Sequence, residues 1–494
     1  MKTQIKLLVV YDNYGFFSPI EYTFNLIFST YSIDYCLVPL RQLKNENIDL
    51  KRTLIISYGR KKMEIGVTPQ IHIYSSDLFG ENYLKPDSMP KVPLKKYDEL
   101  PVIYYGCGEF NNFVRKSKNL IETNIDIIAS SFFMLSRYEE VVLDKKDKFD
   151  RFPVTESLAC KEEFLDRPIV NEYIELLWKW IDSFNLGLKR REIWGNKDFA
   201  VCLTHDVDNV EKYKILPFRV IYRLAIKNKD FLNFLRRGFA TIIDYFKAKL
   251  GKDPYDNFSY ILKLEDKYGF RSSFYFISGG NTKYDANYSI NDSYIVSLIK
   301  ILQEKGFEVG LHPSFNSYNN FQMLNSEKEK LEKAAENNIF GGRQHYLRWK
   351  SPDTWRILEK AGLKYDTTLS FAEHEGFRCG ICFPYKPFDV LKNRQLDIWE
   401  LPLTVMDGSL FDYQNLTPEE GFRRIKKLID TTKKYNGLFV LLWHNSSLDD
   451  LKLPGWIEVY ERTMEYLGRE NVFNAPAKGI IDWWENNILS HSTY

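Results

Sequence analysis

The chain has 494 residues and a formal net charge of +2, with 44% hydrophobic and 27% charged residues. At roughly 100–200 residues per domain, this length predicts two to four domains, or one large domain with a smaller partner. The composition is that of a globular protein and excludes long disordered regions, and the balanced charge gives no indication of nucleic-acid binding.

The amino terminus predicts a β-strand and not a signal peptide. Residues 5–10 form a short apolar run, acidic Asp12 follows closely, and no small-residue cleavage pattern is present. No run of about 18 apolar residues occurs, so no transmembrane helix is expected, and a cytoplasmic location is the default expectation.

The six cysteines are sparse, which favours reduced thiols. Cys379 and Cys382 form a lone CxxC, which supports a structural zinc site poorly and leaves a redox pair open.

Residues 1–125 predict a small α/β domain. Four runs rich in β-branched and aromatic residues are typical of strands: IKLLVVYD, TLIISYG, QIHIYSS and PVIYYG. No glycine-rich phosphate loop follows any of them, so no nucleotide site is indicated. Residues 126–195 predict a helical linking region, with helices at 125–142 and 168–184 on either side of a charged stretch at 143–157 that we expect to be an exposed loop.

Residues 196–494 alternate strand-like and helix-like segments. The strand-like segments include FAVCLTHD, RSSFYFIS, FEVGLHPS, DIWELPLTV and GLFVLLWHN. Such alternation over about 300 residues predicts a parallel (β/α) barrel. The fold class is therefore α/β, a barrel preceded by a smaller α/β domain.

A basic insertion interrupts this pattern at residues 211–252. It carries eleven Lys or Arg and three Asp or Glu, interleaved with apolar residues. Arg219, Arg223 and Lys227 are four apart and would share one helix face. Two interpretations stay open: a basic amphipathic helix that lies on an anionic membrane surface, and a solvated helical cap over the barrel.

Histidines follow the ends of three predicted strands. His205, His312 and His444 lie in CLTHDVD, VGLHPSFN and LLWHN. Side chains at the carboxyl ends of parallel barrel strands converge on one site, so we expect these histidines to share one.

Asp206 and Asp208 predict a metal site at the same place. Alternate residues of a strand point to the same face, and two adjacent carboxylates repel unless a cation lies beside them. Asp with His is a ligand set for zinc, which would activate a water molecule while the second carboxylate takes its proton. The competing interpretation is structural, because aspartates at strand ends commonly cap helices or stabilise turns.

These motifs resemble those of the polysaccharide deacetylases of carbohydrate esterase family four, over roughly residues 196–450. The resemblance implies Asp206 as general base and Asp208 as metal ligand. The second family motif has two metal-binding histidines four positions apart; His312 matches the first, and Asn316 stands where the second would be. An amide oxygen is a weaker ligand for zinc than imidazole. His205 and His345 are candidates to compensate for Asn316.

The remaining motifs imply the other catalytic residues. The resemblance implies His444 as general acid. Arg348, in RWKSPDTW, is the implied counterpart of the arginine that holds the base, with Arg343 as the alternative. The fourth motif is the least clear, and Asp366 is its best candidate. The predicted supporting or substrate-binding residues are His205, Arg343, His345, Asp366 and Trp443.

The implied function is a metal-dependent hydrolase of non-peptide C–N bonds that deacetylates N-acetylated sugars of a glycan or glycan precursor, with a divalent metal, zinc, as cofactor. The chain also resembles uncharacterised bacterial proteins with a small α/β domain before such a barrel. Without a signal peptide we expect an intracellular substrate, with peripheral contact at the inner membrane surface and no nucleic-acid partner. Two alternatives stay open: a catalytically silent glycan-binding protein, and a hydrolase of a small non-sugar amide.

Overall fold

The computed structural model describes residues 6–12, 15–31, 35–45, 53–62, 69–213 and 231–489. The strands of its amino-terminal part are β1 Lys6–Tyr11, β2 Tyr35–Pro39, β3 Thr53–Gly59, β4 Gln70–Tyr74, β5 Lys95–Tyr97, β6 Leu100–Val102, β7 Val114–Ser117 and β8 Leu120–Thr123. Six of them form a sheet in the order β2-β1-β3-β4-β8-β7, and β5 and β6 form a separate hairpin. All pairings within the sheet are parallel except that of the edge strand β7 with β8.

In the described segments of this part there are five α-helices: α1 Phe17–Ser29, α2 Ile127–Leu135, α3 Tyr138–Leu143, α4 Leu158–Lys161 and α5 Ile169–Asp182. The helix predicted at 125–142 is two helices, because Arg137 between them adopts a left-handed conformation with φ 52°. The buried Arg137 guanidinium pairs with Glu139 and Glu140, and Arg378 of the carboxy-terminal part pairs with the same Glu140 at 2.7 Å. This charge cluster and one continuous hydrophobic core join the two parts of the chain.

The carboxy-terminal part is built on a second, nine-stranded sheet. Its strands and those of one small hairpin are β9 Phe199–Val207, β10 Ser272–Phe276, β11 Glu308–Leu311, β12 Gly341–Gly342, β13 Tyr365–Asp366, β14 Phe388–Asp389, β15 Arg394–Gln395, β16 Trp399–Glu400, β17 Val405–Met406, β18 Leu438–Leu442 and β19 Val472–Asn474. The order is β16-β13-β12-β11-β10-β9-β18-β17, with β19 also paired to β9; β14 and β15 form the hairpin.

All pairings in the second sheet are parallel. Within the described residues no ladder joins β16 to β17, so the sheet is a curled, open half-barrel. Strand β9 is buried along its whole length, which agrees with the near-continuous apolar run expected of a parallel strand covered on both faces. The predicted fold class, a distorted (β/α) barrel preceded by a smaller α/β unit, is confirmed.

Within the described residues, eight helices surround this sheet: α6 Phe231–Lys249, α7 Phe258–Tyr268, α8 Ser293–Glu304, α9 Phe321–Ala335, α10 Asp353–Lys360, α11 Pro418–Lys434, α12 Trp456–Gly468 and α13 Ala477–Trp484. Helix α6 belongs to the basic insertion, whose predicted helix-face residues Arg219, Arg223 and Lys227 lie outside the described residues. Across the part of the chain that is described, no helix combines the length and the hydrophobicity needed to cross a bilayer.

The six cysteines are free thiols. Cys379 and Cys382 are buried, and burial raises the pKa of Cys379 to about 12 and that of Cys382 still further. Both sulfurs therefore stay protonated at neutral pH, which disfavours thiolate chemistry at the CxxC.

Candidate metal and catalytic site

Six neighbouring strands, β12, β11, β10, β9, β18 and β17, define one edge of the second sheet. Because parallel strands end at the same edge, side chains at or just after their carboxyl ends come together there. Five of these strands contribute such side chains, which in the order of the strands are Arg343, His345, His312, Asp206, Asp208, His444 and Asp407.

Three of these side chains place one ligand atom each in a compact triangle. Asp208 Oδ1 lies 3.2 Å from His312 Nε2 and 3.5 Å from His345 Nδ1, and the two ring nitrogens are 2.9 Å apart. Tetrahedral zinc with bonds of about 2.0–2.1 Å places neighbouring ligand atoms roughly 3.3 Å apart. The triangle has the size of one face of such a tetrahedron, and Asp208, His312 and His345 form a candidate metal site.

The hydrogen bonds of the two histidines direct their lone pairs into the triangle. His312 Nδ1 lies 2.6 Å from the carbonyl oxygen of Arg343, and His345 Nε2 lies 2.7 Å from that of Tyr284. These nitrogens must carry the protons that they donate, so in the neutral rings the other two nitrogens are unprotonated and face each other. Asp208 Oδ1 is buried, and no described residue donates a well-directed hydrogen bond to it. This donor set fits a divalent cation.

The electrostatics of the triangle favour the ionised form of Asp208. Burial opposes ionisation of Asp208, but His345, His312 and His444 hold its pKa well below the usual range. Burial lowers the pKa of His345, which favours the neutral ligand form. At His312, burial is outweighed by Asp206 and Asp208, which raise its pKa. The Asp208 side chain is 23% exposed, so the site is open to solvent on one side.

A glycine allows strands β11 and β12 to approach closely at the site. A Cβ atom at Gly342 would lie 1.7 Å from the carbonyl oxygen of Leu311. The next residue, Arg343, donates its backbone N–H to that same oxygen at 3.0 Å, and its own carbonyl accepts from His312. His345 follows two residues later and lies beside His312, and the next residue, Tyr346, turns the chain with φ 61°.

Arg343 holds the predicted base. Its Nη1 lies 3.0 Å from Asp206 Oδ1 and 2.8 Å from Thr204 Oγ1, and its Nε donates to the carbonyl oxygen of Thr367 at 3.0 Å. Arg343 is fully buried. The first-choice prediction of Arg348 for this contact is wrong, and the alternative, Arg343, makes it.

Asp407 orients the predicted acid. His444 Nδ1 lies 2.7 Å from Asp407 Oδ1, and the backbone N–H of His444 donates to Asp407 Oδ2 at 2.8 Å. Burial alone would lower the pKa of His444, but Asp407, with Asp208 and Asp206 behind it, raises the pKa to about 10. His444 is therefore protonated at neutral pH, as a proton donor must be.

The sequence interpretation missed Asp407; it named Asp366 as the best candidate for the fourth motif and as a supporting residue. Asp366 does not contact His444: its carboxylate accepts hydrogen bonds from the backbone and hydroxyl of Thr368, in a fully buried position where burial raises its pKa. The available signal was LPLTVMD, in which Asp407 directly follows a short apolar strand. That strand is only two residues long, Val405–Met406, so its end was not recognisable.

The structure does not bring Asn316, the predicted third metal ligand, into the triangle. Asn316 is exposed, and its Oδ1 accepts a hydrogen bond from Arg348 Nη1 at 3.3 Å. Arg348 in turn pairs with Asp150 at 2.7 Å, so both side chains are engaged outside the triangle. The ligand position left open by Asn316 is filled by His345, which comes from a different strand.

His205 and Trp443 lie beneath the site and do not open into it. His205 Nε2 lies 2.8 Å from Glu265 Oε1 of helix α7, and its Nδ1 lies 2.7 Å from the carbonyl oxygen of Trp443. The Trp443 ring is fully buried and packs on Tyr460 and Trp456. The expectation that His205 shares the site with the other histidines is wrong, because its strand neighbours Asp206 and Thr204 take the opposite face.

The charged loop at 143–157 reaches the rim of the site. Its Phe149 ring lies 5.3 Å from Tyr346 and 6.0 Å from Tyr284, the two residues adjoining the metal-site histidine His345. Arg151 of the same loop is only 4% exposed and donates to the carbonyl oxygen of Tyr346 at 3.2 Å. The loop is therefore not simply exposed: the amino-terminal part supplies one wall of the candidate site.

Residues 8–185 match a family of unknown function, DUF7033. The match spans most of the predicted small α/β domain and most of the helical linking region. The boundaries between the predicted units 1–125, 126–195 and 196–494 stay a prediction. No curated protein matches the chain.

The structure resembles solved polysaccharide deacetylase structures, as the motifs predicted. A structure described as a probable polysaccharide deacetylase from Pseudomonas aeruginosa PAO1 is 12% identical, with a TM-score of 0.40, over 59% of this chain and 92% of that one. Peptidoglycan deacetylase PdaC from Bacillus subtilis is 11% identical, with a TM-score of 0.28, over 59% and 93%. Puue allantoinase is 12% identical, with a TM-score of 0.39, over 59% and 92%. At these sequence identities and TM-scores, the structural similarity identifies neither the catalytic residues nor the substrate of this chain.

Proposed function

We propose that the protein is a metal-dependent hydrolase of non-peptide amide bonds that removes acetyl groups from N-acetylated sugars. The observation that carries the proposal is the metal triangle flanked by a base and an acid. Asp206 Oδ2 lies 3.7 Å from His312 Nε2 on one side, and His444 Nε2 lies 3.6 Å from Asp208 Oδ2 on the other. The choice of an N-acetylated sugar as the substrate is supported by the similarity of the HDVD, HPSFN and LLWHN motifs to those of the polysaccharide deacetylases.

Asp208, His312 and His345 would hold the cation, and two imidazole nitrogens with one carboxylate oxygen suit zinc. A divalent cation, when bound, supplies Lewis acidity towards an amide carbonyl and towards water. The backbone carbonyl oxygens of Arg343 and Tyr284 already accept hydrogen bonds from the outer ring nitrogens of His312 and His345, so the ligand atoms need little rearrangement.

The remaining residues would move two protons. Water attacks the acetyl carbonyl carbon, and Asp206 accepts the proton that the water loses. Arg343 positions the Asp206 carboxylate and balances its charge. As the C–N bond breaks, the sugar nitrogen takes a proton from His444, whose charge Asp407 stabilises. Acetate and a free amine are the products.

The test is acetate release from N-acetylglucosamine oligomers by the full chain, loaded with zinc or stripped by a chelator. We expect zinc-dependent acetate release. Asp206→Asn should lower kcat by about 10²–10⁴-fold, the usual contribution of a general base, and should keep zinc. Asn316→Ala is the matched control, because its side chain faces Arg348 and not the triangle, and its kcat should stay near that of the wild type.

Each contrary result has a distinct meaning. Zinc binding and oligomer binding without acetate release would support a catalytically silent glycan-binding protein. If acetate is released only from small non-sugar amides, the proposal that the substrate is an N-acetylated sugar is contradicted. Acetate release that survives both zinc removal and Asp206→Asn would contradict the proposed chemistry.

A further inference from the structure

Helix α6 presents an apolar stripe to solvent. Four large hydrophobic side chains along it are exposed: Phe239 by 69%, Ile242 by 40%, Ile243 by 44% and Phe246 by 62%. Leu250, directly after the last helical residue, is exposed by 82% and continues the stripe. Their spacing of three, four and seven residues puts them on one side of a helix, because each residue turns the helix by about 100°. Contiguous exposed apolar surface of this kind commonly marks an interaction site.

Lysines flank the stripe on both sides. At about 100° per residue, Lys247 and Lys249 project roughly 80° to either side of the direction that Phe239 and Phe246 share. Both lysines are exposed. The insertion that contains the helix, residues 211–252, carries eleven basic and three acidic residues. An apolar stripe bordered by long cationic side chains suits the boundary between lipid tails and anionic headgroups, where lysine keeps its charge in water.

The opposite side of the helix anchors it to the barrel. Thr241 is buried, and Asp244 pairs with Lys212 at 3.1 Å. Lys212 also pairs with Asp449 at 2.6 Å and lies four residues after the metal-site residue Asp208. The stripe is therefore held near the mouth of the candidate site, facing away from the body of the protein.

We propose that helix α6 docks the protein onto an anionic membrane surface through this stripe. The stripe exposes roughly 450 Å² of apolar surface, within the 300–600 Å² of the largest patch on a typical monomer, which is often functional. A second copy of the chain would bring like-charged lysines together, whereas anionic lipid complements them. Docking would present the candidate site to substrates held at the lipid surface.

The test is co-sedimentation of the full chain with vesicles of phosphatidylcholine and phosphatidylglycerol (7:3), compared with phosphatidylcholine alone. We expect binding to the anionic vesicles that weakens at high salt. F239S/F246S should weaken it at least 10-fold, and K247E/K249E should abolish the preference for anionic lipid. V92S/L391S, which changes exposed hydrophobic residues elsewhere (57% and 54% exposed), is the matched control and should bind as the wild type does.

Three results would overturn the proposal. One is equal recovery of wild-type protein with and without anionic vesicles. Another is a wild-type dimer in solution that F239S/F246S converts to a monomer, which would assign the stripe to a second copy. The third is a fall in the melting temperature of F239S/F246S with unchanged vesicle binding, which would show that the stripe packs against the chain itself. None of these outcomes depends on the hydrolase activity.

Discussion

Asp407→Asn tests the proposed acid through a pH-dependent loss of activity. Asp407 contacts His444 twice, at 2.7 Å to the ring and 2.8 Å to the backbone N–H. It is the strongest of the interactions that raise the pKa of His444 from 6.5 to about 10. Asparagine fits the same space and keeps an acceptor for the backbone, but it removes the charge, so the pKa of His444 should fall to about 6.5 or lower.

The magnitude follows from this change in pKa. At pH 8, a histidine with a pKa of about 6.5 is protonated in roughly one molecule in thirty, whereas the wild-type His444 is largely protonated. We therefore expect kcat of Asp407→Asn to be about 30-fold lower at pH 8 and only a few-fold lower at pH 6. The alkaline limb of the kcat profile should move from well above pH 8 to near or below 6.5. Acetate release between pH 5.5 and 10, with NMR titration of His444, measures both.

A buried aspartate remote from the site is the control. Asp389 belongs to the small hairpin and pairs with Arg356 at 2.6 Å, so Asp389→Asn should affect stability and leave the shape of the pH profile unchanged. The reasoning is refuted if Asp407→Asn keeps the wild-type profile, since His444 would then not supply the proton.

Three further substitutions probe the site's construction. Gly342→Ala should lower the free energy of unfolding by at least about 2 kcal/mol in urea titrations, because its Cβ would overlap the carbonyl oxygen of Leu311; stability within about 0.5 kcal/mol of the wild type would contradict this. Phe149→Ala should raise KM for sugar oligomers about 10-fold at constant kcat, since the ring lines the rim; a changed kcat at constant KM would argue against a binding role. His205→Gln should destabilise the protein through its buried contact with Glu265 while zinc content stays unchanged; loss of zinc would place His205 in the site after all.

The sheet and its site edge could be predicted because long apolar strands end in recognisable polar residues. FAVCLTHDVD, FEVGLHPS and GLFVLLWHN each show a buried run followed by a functional group, and the structure brings Asp206, Asp208, His312 and His444 together. His205 was wrongly predicted to share the site because it also follows a buried apolar run. It lies inside strand β9, where alternation sends it to the face opposite Asp206 and Asp208, so the convergence expected of side chains at strand ends does not extend to it.

Asp407, which was missed, and His345, which was predicted only as a supporting residue and a candidate to compensate for Asn316, both follow two-residue strands. Strands β12 and β17 are Gly341–Gly342 and Val405–Met406, too short to show a pattern, and they carry His345 and Asp407. His345 also precedes a left-handed turn at Tyr346, which no composition rule predicts for tyrosine. Asn316 satisfied the family spacing but not the local geometry, which turns it towards Arg348.

Zinc affinity of wild type, His345→Ala and Asn316→Ala, measured against a competing chelator, tests the central claim most directly. The triangle predicts one zinc ion per wild-type chain. Because a ligand should matter more than the outer-shell contacts whose loss costs about 10–100-fold, His345→Ala should bind zinc at least 100-fold more weakly. Asn316→Ala should stay within about 3-fold of the wild type, since its side chain faces away. Zinc lost from Asn316→Ala and retained by His345→Ala would contradict the site described by Asp208, His312 and His345.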